Sequence, residues 1–135
     1  MNPNSLNIIG KTQSYAFEIN NSNYVEIKNI EFFSTTFKFD NSDNCKVDRC
    51  NLFYPSCYKR MLGIVATQPE MSIFTSSSNC TVSNSAFRYT DGSVLEMYSN
   101  NNTIDNCYFY HIDYSNTIYF YKYILTYIRY YYYKY

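Results

Sequence analysis

Residues 101–109 read NNTIDNCYF, and three earlier segments of the chain repeat the pattern of this stretch. The earlier copies are NYVEIKNIEF at 23–32, NCKVDRCNLF at 44–53 and NCTVSNSAF at 79–87. At one shared position each copy carries an aliphatic residue, here called its anchor, and shortly after it an aromatic residue or a leucine. The anchors are Ile27, Val47, Val82 and Ile104. Self-similarity at a spacing of a few tens of residues indicates a solenoid, in which each repeat is one structural unit.

A second short strand is predicted ahead of each copy. The segments FEIN, FKFD, SIFT and LEMY begin at residues 17, 37, 72 and 95, and polar turns connect them to the next anchor. We expect their apolar residues, Phe17 among them, to point inward, and Glu18, Lys38 and Glu96 to point outward. Alternation with a period of two is the signature of a strand with one buried face.

The spacing of the anchors sets the register of the repeat. Successive anchors lie 20, 35 and 22 residues apart, so one long repeat carries an insertion at about 53–71. Overlaying the first two full repeats places opposite charges side by side: Glu18 with Lys38, Glu26 with Lys46, and Lys28 with Asp48. Strands of adjacent turns lie about 4.8 Å apart, so these pairs can interact as cross-strand neighbours.

These features predict an all-β fold, a right-handed single-stranded parallel β-helix of about five turns, or rungs, over residues 1–121. The first rung would comprise residues 6–19. The Tyr-rich tail at 122–135 is atypical, and it is another strand, a poorly formed cap or a departure from the natural reading. Because solenoids need capped ends, we expect the chain to be a fragment of a longer protein with further rungs.

The composition excludes several functional classes. The formal net charge is zero, so neither a nucleic-acid footprint nor a polybasic membrane patch is expected. No apolar segment is long enough to span a bilayer, and the opening residues lack the pattern of a signal peptide. With only 3 glycines, hairpin-rich folds are disfavoured and asparagine is left to form the turns.

The five cysteines are an odd number, so they cannot all pair within one chain. Cys45 and Cys80 share one position of the repeat, and Cys50 and Cys107 share another, while Cys57 lies in the insertion. The shared positions predict either a stack of small apolar side chains or a Cys45–Cys80 disulfide. Because stacked side chains point the same way, the stack is favoured.

Chemically active side chains collect at the corner from which the insertion projects. Counting from the last two anchors pairs residues of successive rungs: Arg88 with Tyr110, Tyr89 with His111, and Asp91 with Asp113. Stacked carboxylates share a proton, bind a hard cation such as Ca²⁺, or diverge into solvent, and both aspartates can equally begin turns. His111 is the only histidine, which excludes a His-rich metal site and leaves it a candidate acid or base, or a plain surface residue.

The insertion contributes Lys59 and Arg60, an adjacent basic pair. An arginine can bind a sugar carboxylate through two hydrogen bonds, and a lysine can remove a proton, although a solvated surface pair has the same sequence. The tyrosines of this corner could stack on sugar rings; they are Tyr54, Tyr58, Tyr89 and Tyr110.

The rungs VEIKNIEF, TVSNSAF and TIDNCYF, with their asparagine turns, resemble the right-handed β-helix repeats of the pectate-lyase-like superfamily over about residues 5–120. SLNIIG followed by YVEIKNIEF is similar to the early rungs of chondroitinase B-like polysaccharide lyases, a group that includes alginate lyases. The resemblance implies β-elimination on a uronic acid, with Lys59 and Arg60 as base and acid and with Ca²⁺ neutralising the substrate carboxylate. It also implies a polysaccharide partner and a parent protein that is extracellular, periplasmic or on a particle surface.

Two hypotheses follow. In the first, the chain belongs to a polysaccharide lyase or hydrolase: the catalytic residues are Lys59, Arg60 and His111, the substrate-binding residues are Arg88, Tyr89 and Tyr110, and the metal ligands are Asp91 and Asp113. In the second, it is a non-catalytic β-helix segment of an adhesin, surface protein or viral fibre. The first predicts that these side chains converge in a groove. The second predicts that they fan into solvent and that aromatic or asparagine columns form the continuous surface.

Overall fold

The computed structural model describes residues 13–56, 71–90, 93–112, 118–120 and 127–133. Every regular element in these ranges is a β-strand, so none of them holds a helix that could cross a membrane. The strands are β1 (Tyr15–Asn20), β2 (Glu26–Lys28), β3 (Glu31–Phe33), β4 (Thr36–Asp40), β5 (Lys46–Asp48), β6 (Asn51–Phe53), β7 (Ser72–Thr75), β8 (Thr81–Ser83), β9 (Ala86–Thr90), β10 (Leu95–Met97), β11 (Thr103–Ile112), β12 (Ile118–Phe120) and β13 (Tyr127–Tyr133).

Three parallel rows of strands wind into a solenoid of about four turns, where the sequence predicts five. The first row runs β1-β4-β7-β10-β12. The second runs β2-β5-β8 and the third β3-β6-β9, and the long strand β11 belongs to both, with β13 beside it. The predicted all-β parallel β-helix is therefore confirmed. The predicted insertion at 53–71 loses Phe53 to β6, and residues 57–70 lie outside the described part.

The predicted register is confirmed in each rung. Ile27 pairs with Val47, Val47 with Val82, and Val82 with Ile104. Two of the three predicted ion pairs form: Lys38 Nζ lies 3.2 Å from Glu18 Oε1, and Lys46 Nζ lies 4.0 Å from Glu26 Oε1.

The third predicted ion pair is wrong, although Lys28 and Asp48 do face each other in the register. Lys28 Nζ instead contacts Glu26 Oε2 in its own strand at 3.2 Å. Asp48 is buried and engaged by residues of its own and the following rung. Two side chains on facing strands therefore turn to different partners.

Left-handed residues make the corners of the coil. Fifteen non-glycine residues have φ between 48° and 62°, and eight of them are asparagines. They recur at equivalent positions of successive rungs, for example Asn29, Arg49, Asn84 and Asn106 between the second and third rows. Asparagine tolerates this conformation because its short polar side chain bonds locally, which explains how the chain turns with so few glycines.

Ten of the left-handed residues donate their backbone N–H to a carbonyl oxygen of the following rung. Asn29 N donates to Asp48 O at 3.1 Å, and Arg49 N donates to Ser83 O at 3.1 Å. The next N–H along the chain often donates to a buried side chain of that same following rung. Cys50 N, for instance, donates to Ser85 Oγ at 3.0 Å. Because buried amides are costly to leave unpaired, these bonds explain the serines inside the coil.

Aromatic and aliphatic side chains fill the interior in columns. Phe39 and Phe74 stack with their ring centroids 4.9 Å apart, and Phe87 and Phe109 stack at 5.2 Å. The inward prediction fails in part for Phe17, which is 39% exposed because β1 is the outermost described strand of its row. The sequence predicts that Glu96 faces solvent, but it is buried, with only 7% of its surface exposed.

The four cysteines of the described part are buried and free, so the predicted stack is confirmed over the disulfide. Each thiol donates to a carbonyl oxygen of the preceding rung, as Cys80 Sγ does to Ser42 O at 3.4 Å. Burial raises the pKa of Cys80 to about 12 and that of Cys107 to about 11. Since the thiolate is the reactive form, these thiols should be inert while the coil is folded.

We predict that a Cys57→Ser variant shows no thiol reactivity towards Ellman's reagent at pH 8 in the folded state. After denaturation without a reductant, all four remaining thiols should react. A Cys45–Cys80 disulfide would leave only two to react, and rapid labelling of the folded chain would contradict the burial of the columns.

Candidate functional site

The structure brings together half of the predicted site residues. Arg88 and Tyr89 lie on β9, and Tyr110 and His111 lie on β11, the strand that pairs with it. Tyr110 faces Arg88 in the register, as predicted. The other four predicted residues, which are Lys59, Arg60, Asp91 and Asp113, lie outside the described residues, so their roles stay predictions.

Tyr54, Tyr89 and His111 form a stack along the solenoid, here called the aromatic corner. They occupy the same left-handed position in three successive rungs, with φ of 52°, 58° and 51°. The rings of Tyr54 and Tyr89 lie 5.4 Å apart, and those of Tyr89 and His111 lie 5.5 Å apart, with interplanar angles of 23° and 21°. The backbone repeat, through Tyr54 N donating to Arg88 O at 2.9 Å, thus sets the ring spacing.

Two further rings contact the aromatic corner edge-on. Phe33 meets Tyr54 at 5.7 Å and 74°, and Tyr110 meets His111 at 4.1 Å and 86°. Edge-to-face contacts are favourable because the positive ring edge meets the negative face. His111 is therefore packed between Tyr89 and Tyr110, which fixes its orientation while it remains exposed.

Arg88 lies beside the aromatic corner between two rings. Its guanidinium carbon is 5.2 Å from the Phe53 ring centre and 5.6 Å from that of Tyr108. Its Nη1 donates to Asn51 Oδ1 at 3.2 Å. Rings on either side hold the guanidinium by cation–π attraction, so the charge is placed with little freedom.

Together these side chains make the outer surface of the third row aromatic, and we call this surface the aromatic face. It comprises Phe33, Phe53, Arg88, Tyr108 and Tyr110, with the aromatic corner along its edge. The outer surface of the first row carries charge instead, with Glu18 and Lys38. Phe33 at 53% and Tyr54 at 41% are among the most exposed large apolar side chains of the described part. Contiguous exposed apolar surface marks a binding site more often than scattered residues do.

Sequence reasoning missed Asn51, Phe53 and Tyr108 as parts of this surface. The signal was present, because Phe53 and Tyr54 lie six and seven residues after Val47, as Arg88 and Tyr89 do after Val82. The assignment of Phe53 to the insertion concealed this match. Extending the count to the anchor Val47 would have placed Phe53 beside Arg88.

Metal-binding side chains do not cluster in the described part. In it no group of three or more His, Cys, Asp or Glu residues lies close enough to bind a metal ion. The predicted Ca²⁺ ligands Asp91 and Asp113 are not among the residues searched. What the described corner offers is ring edges, phenol hydroxyls, one imidazole and one guanidinium.

Asp48 is the described carboxylate with the clearest electrostatic perturbation. Its Oδ1 accepts from Asn84 Nδ2 and Ser83 Oγ, each at 2.8 Å, and its Oδ2 accepts from Arg49 Nε at 2.9 Å. Lys46 Nζ lies 3.9 Å away. The hydrogen bonds from Asn84 and Ser83, with those of Arg49, lower the pKa of Asp48 to about 2 although burial opposes the shift. Because its hydrogen-bond partners belong to its own rung and the following one, this perturbation belongs to a structural network rather than to a catalytic group.

We predict that Asp48 makes the fold acid-sensitive. The pKa of Asp48 is lower in the folded state than in the unfolded chain, so its charged form stabilises the fold at pH values above the unfolded-state pKa. This contribution of roughly 2 kcal/mol is lost as the pH falls through about 2. The difference in unfolding free energy between the native chain and Asp48→Asn should therefore shrink by about that amount between pH 6 and pH 2. Asp40→Asn, on the first row, is the control. Equal acid dependence in the native chain and Asp48→Asn would contradict the prediction.

The comparisons with known proteins add no relative. No protein-family model matches the chain, and no match is found among curated proteins or solved structures. The β-solenoid fold thus stands on the chain's own repeat and strand pairing. The predicted kinship with pectate-lyase-like proteins gains no support from these comparisons.

Proposed function

We propose that this chain is a polysaccharide-binding segment of a β-solenoid protein and that the aromatic face is its binding surface. The observation that carries the proposal is the unbroken run of partly exposed rings from Phe33 through Tyr54 and Tyr89 to Tyr110. Sugar rings present apolar C–H faces and polar hydroxyl rims. Surfaces that combine rings with a few fixed polar groups suit such ligands.

The dimensions of the aromatic face favour an extended ligand. It spans four rungs, which at about 4.8 Å per step corresponds to roughly 14 Å along the solenoid. An extended polymer chain can lie along such a surface and meet similar groups at each rung. A small globular ligand would need a concave pocket instead, which favours a polysaccharide over a single sugar.

Arg88 gives this surface a preference for acidic sugars. Only one of its guanidinium nitrogens is used by Asn51, and the rings of Phe53 and Tyr108 hold the group in place. A held guanidinium can bind a carboxylate through two hydrogen bonds. We therefore expect uronic-acid polymers to bind better than neutral ones.

Binding, rather than catalysis, is what the described residues support. β-Elimination would require Lys59 as base and Arg60 as acid, with Ca²⁺ on Asp91 and Asp113, and all four lie outside the described part. We further propose that the chain belongs to a lyase, that it is related to pectate-lyase-like proteins, and that its longer parent has further rungs. We place that parent in an extracellular, periplasmic or particle-surface setting, where polysaccharides occur.

We predict that the migration of the chain is retarded in native gels containing alginate or polygalacturonate. It should be retarded less in gels containing neutral xylan. Tyr89→Ala should weaken binding of the acidic polymers about five- to tenfold, since it removes the central ring of the aromatic corner. Arg88→Gln should abolish the preference for acidic polymers while leaving weak binding to xylan.

Tyr24→Ala is the matched control, because Tyr24 is 79% exposed and lies at a different corner, between the first and second rows. It should bind as the native chain does. If Tyr24→Ala and Tyr89→Ala weaken binding equally, or if no polymer binds, the aromatic face is not a polysaccharide site and a purely structural segment remains. Release of an ultraviolet-absorbing unsaturated product that Lys59→Ala prevents would establish the lyase form.

A further inference from the structure

We propose that Tyr54 and Tyr89 are a site of oxidative cross-linking, at which a peroxidase-type oxidant joins the two phenols as dityrosine between successive rungs. This inference does not depend on carbohydrate binding. It rests on three observations: the contact between the two rings, their accessibility, and the burial of the cysteines and methionines of the described part.

The two phenols are held in contact by the backbone. Their ring centroids lie 5.4 Å apart, closer than the rings of Tyr89 and Tyr110 at 5.6 Å or those of Tyr108 and Tyr110 at 6.0 Å. Both residues occupy the same left-handed corner position, with φ of 52° and 58°. Because adjacent rungs fix the separation of their backbones, neither ring has to diffuse to meet the other. Side-chain rotation alone must bring the ortho carbons together.

Both rings are also open to an oxidant at the surface. Tyr54 is 41% exposed and Tyr89 is 39% exposed. Tyr24, at 79%, is more exposed but makes no ring contact with another described residue. Exposure alone therefore gives a phenol that loses an electron, whereas Tyr54 and Tyr89 combine exposure with a partner.

The sulfur-containing side chains of the described part lie inside the coil. Cysteine and methionine are ordinarily the most easily oxidised side chains. Here the four described cysteines are buried, and so are Met71 and Met97, at 7% and 0% exposure. Oxidation follows thiolate character and exposure, and burial raises the pKa of Cys50, Cys80 and Cys107. Exposed phenols, and among them the paired phenols of the aromatic corner, are then the accessible targets.

The reaction balances with hydrogen peroxide as the two-electron oxidant and a haem peroxidase as the catalyst. Each phenol loses one electron and its hydroxyl proton, which gives two phenoxyl radicals. A carbon–carbon bond forms between the two ortho positions. The ring protons at those positions then move to the phenolic oxygens and restore both aromatic rings. Two tyrosines and one hydrogen peroxide thus yield one dityrosine and two waters.

The test treats dilute Cys57→Ser protein with a haem peroxidase and hydrogen peroxide. We expect dityrosine fluorescence in the monomer and a cross-linked peptide that joins Tyr54 to Tyr89 and lacks two hydrogen atoms. Tyr54→Phe and Tyr89→Phe should each abolish that peptide, because phenylalanine keeps the ring stack but cannot form the phenoxyl radical. Tyr24→Phe and Tyr58→Phe are the controls and should leave it unchanged.

Oxidation in denaturant provides a second measurement that does not depend on the folding of a variant. The Tyr54–Tyr89 peptide should fall at least several-fold when the chain is unfolded under the same oxidant. Three results would overturn the proposal: cross-links only between molecules, an intramolecular cross-link that survives in Tyr54→Phe, or a yield that unfolding does not lower.

Discussion

The left-handed corner is the constraint on which this coil depends. A strand row can give way to the next only where the chain turns sharply, and at each such point a non-glycine residue adopts φ near +55°. This conformation costs an L-residue roughly 1–2 kcal/mol, and the cost is lower for asparagine. The abundance of asparagine and the scarcity of glycine thus have one explanation, which is that asparagine takes the left-handed positions. The cost is offset because ten of the left-handed residues donate their backbone N–H to a carbonyl oxygen of the following rung.

Equivalent positions in successive rungs therefore share the same environment, either inside the coil or at its surface. Inward positions stack phenylalanine on phenylalanine, as Phe39 and Phe74 do. Corner positions stack side chains in the open, which produces amide pairs such as Asn106 with Asn84 on one side and the aromatic corner on another. A functional surface on such a fold is therefore built from a column of equivalent residues rather than from a pocket. The chemistry of a site is decided by which residue type a column repeats.

Sequence reasoning succeeded where repetition carries the information. The anchors, the register and the pairing of Arg88 with Tyr110 follow from counting, because every rung obeys the same geometry. It failed where a side chain chooses among several neighbours. The charge of Lys28 suggested a bond to Asp48, but hydrogen-bond donors in the next rung and Arg49 hold that carboxylate. Burial of Glu96 likewise depends on its surroundings, which strand alternation does not encode.

The direction of the corner hydrogen bonds bears on how the chain is made. From Asn21 to Asn84, every left-handed residue with a corner bond donates its N–H towards the ribosomal side, to a carbonyl that is synthesised later. The serine oxygens that receive the next amides, such as Ser77 for Ser42, also arrive later. A rung leaving the ribosome therefore carries unsatisfied amides until its successor emerges. During translation, each turn of the coil would therefore be completed only when the next turn emerges, with each new rung acting as the temporary cap of the one before.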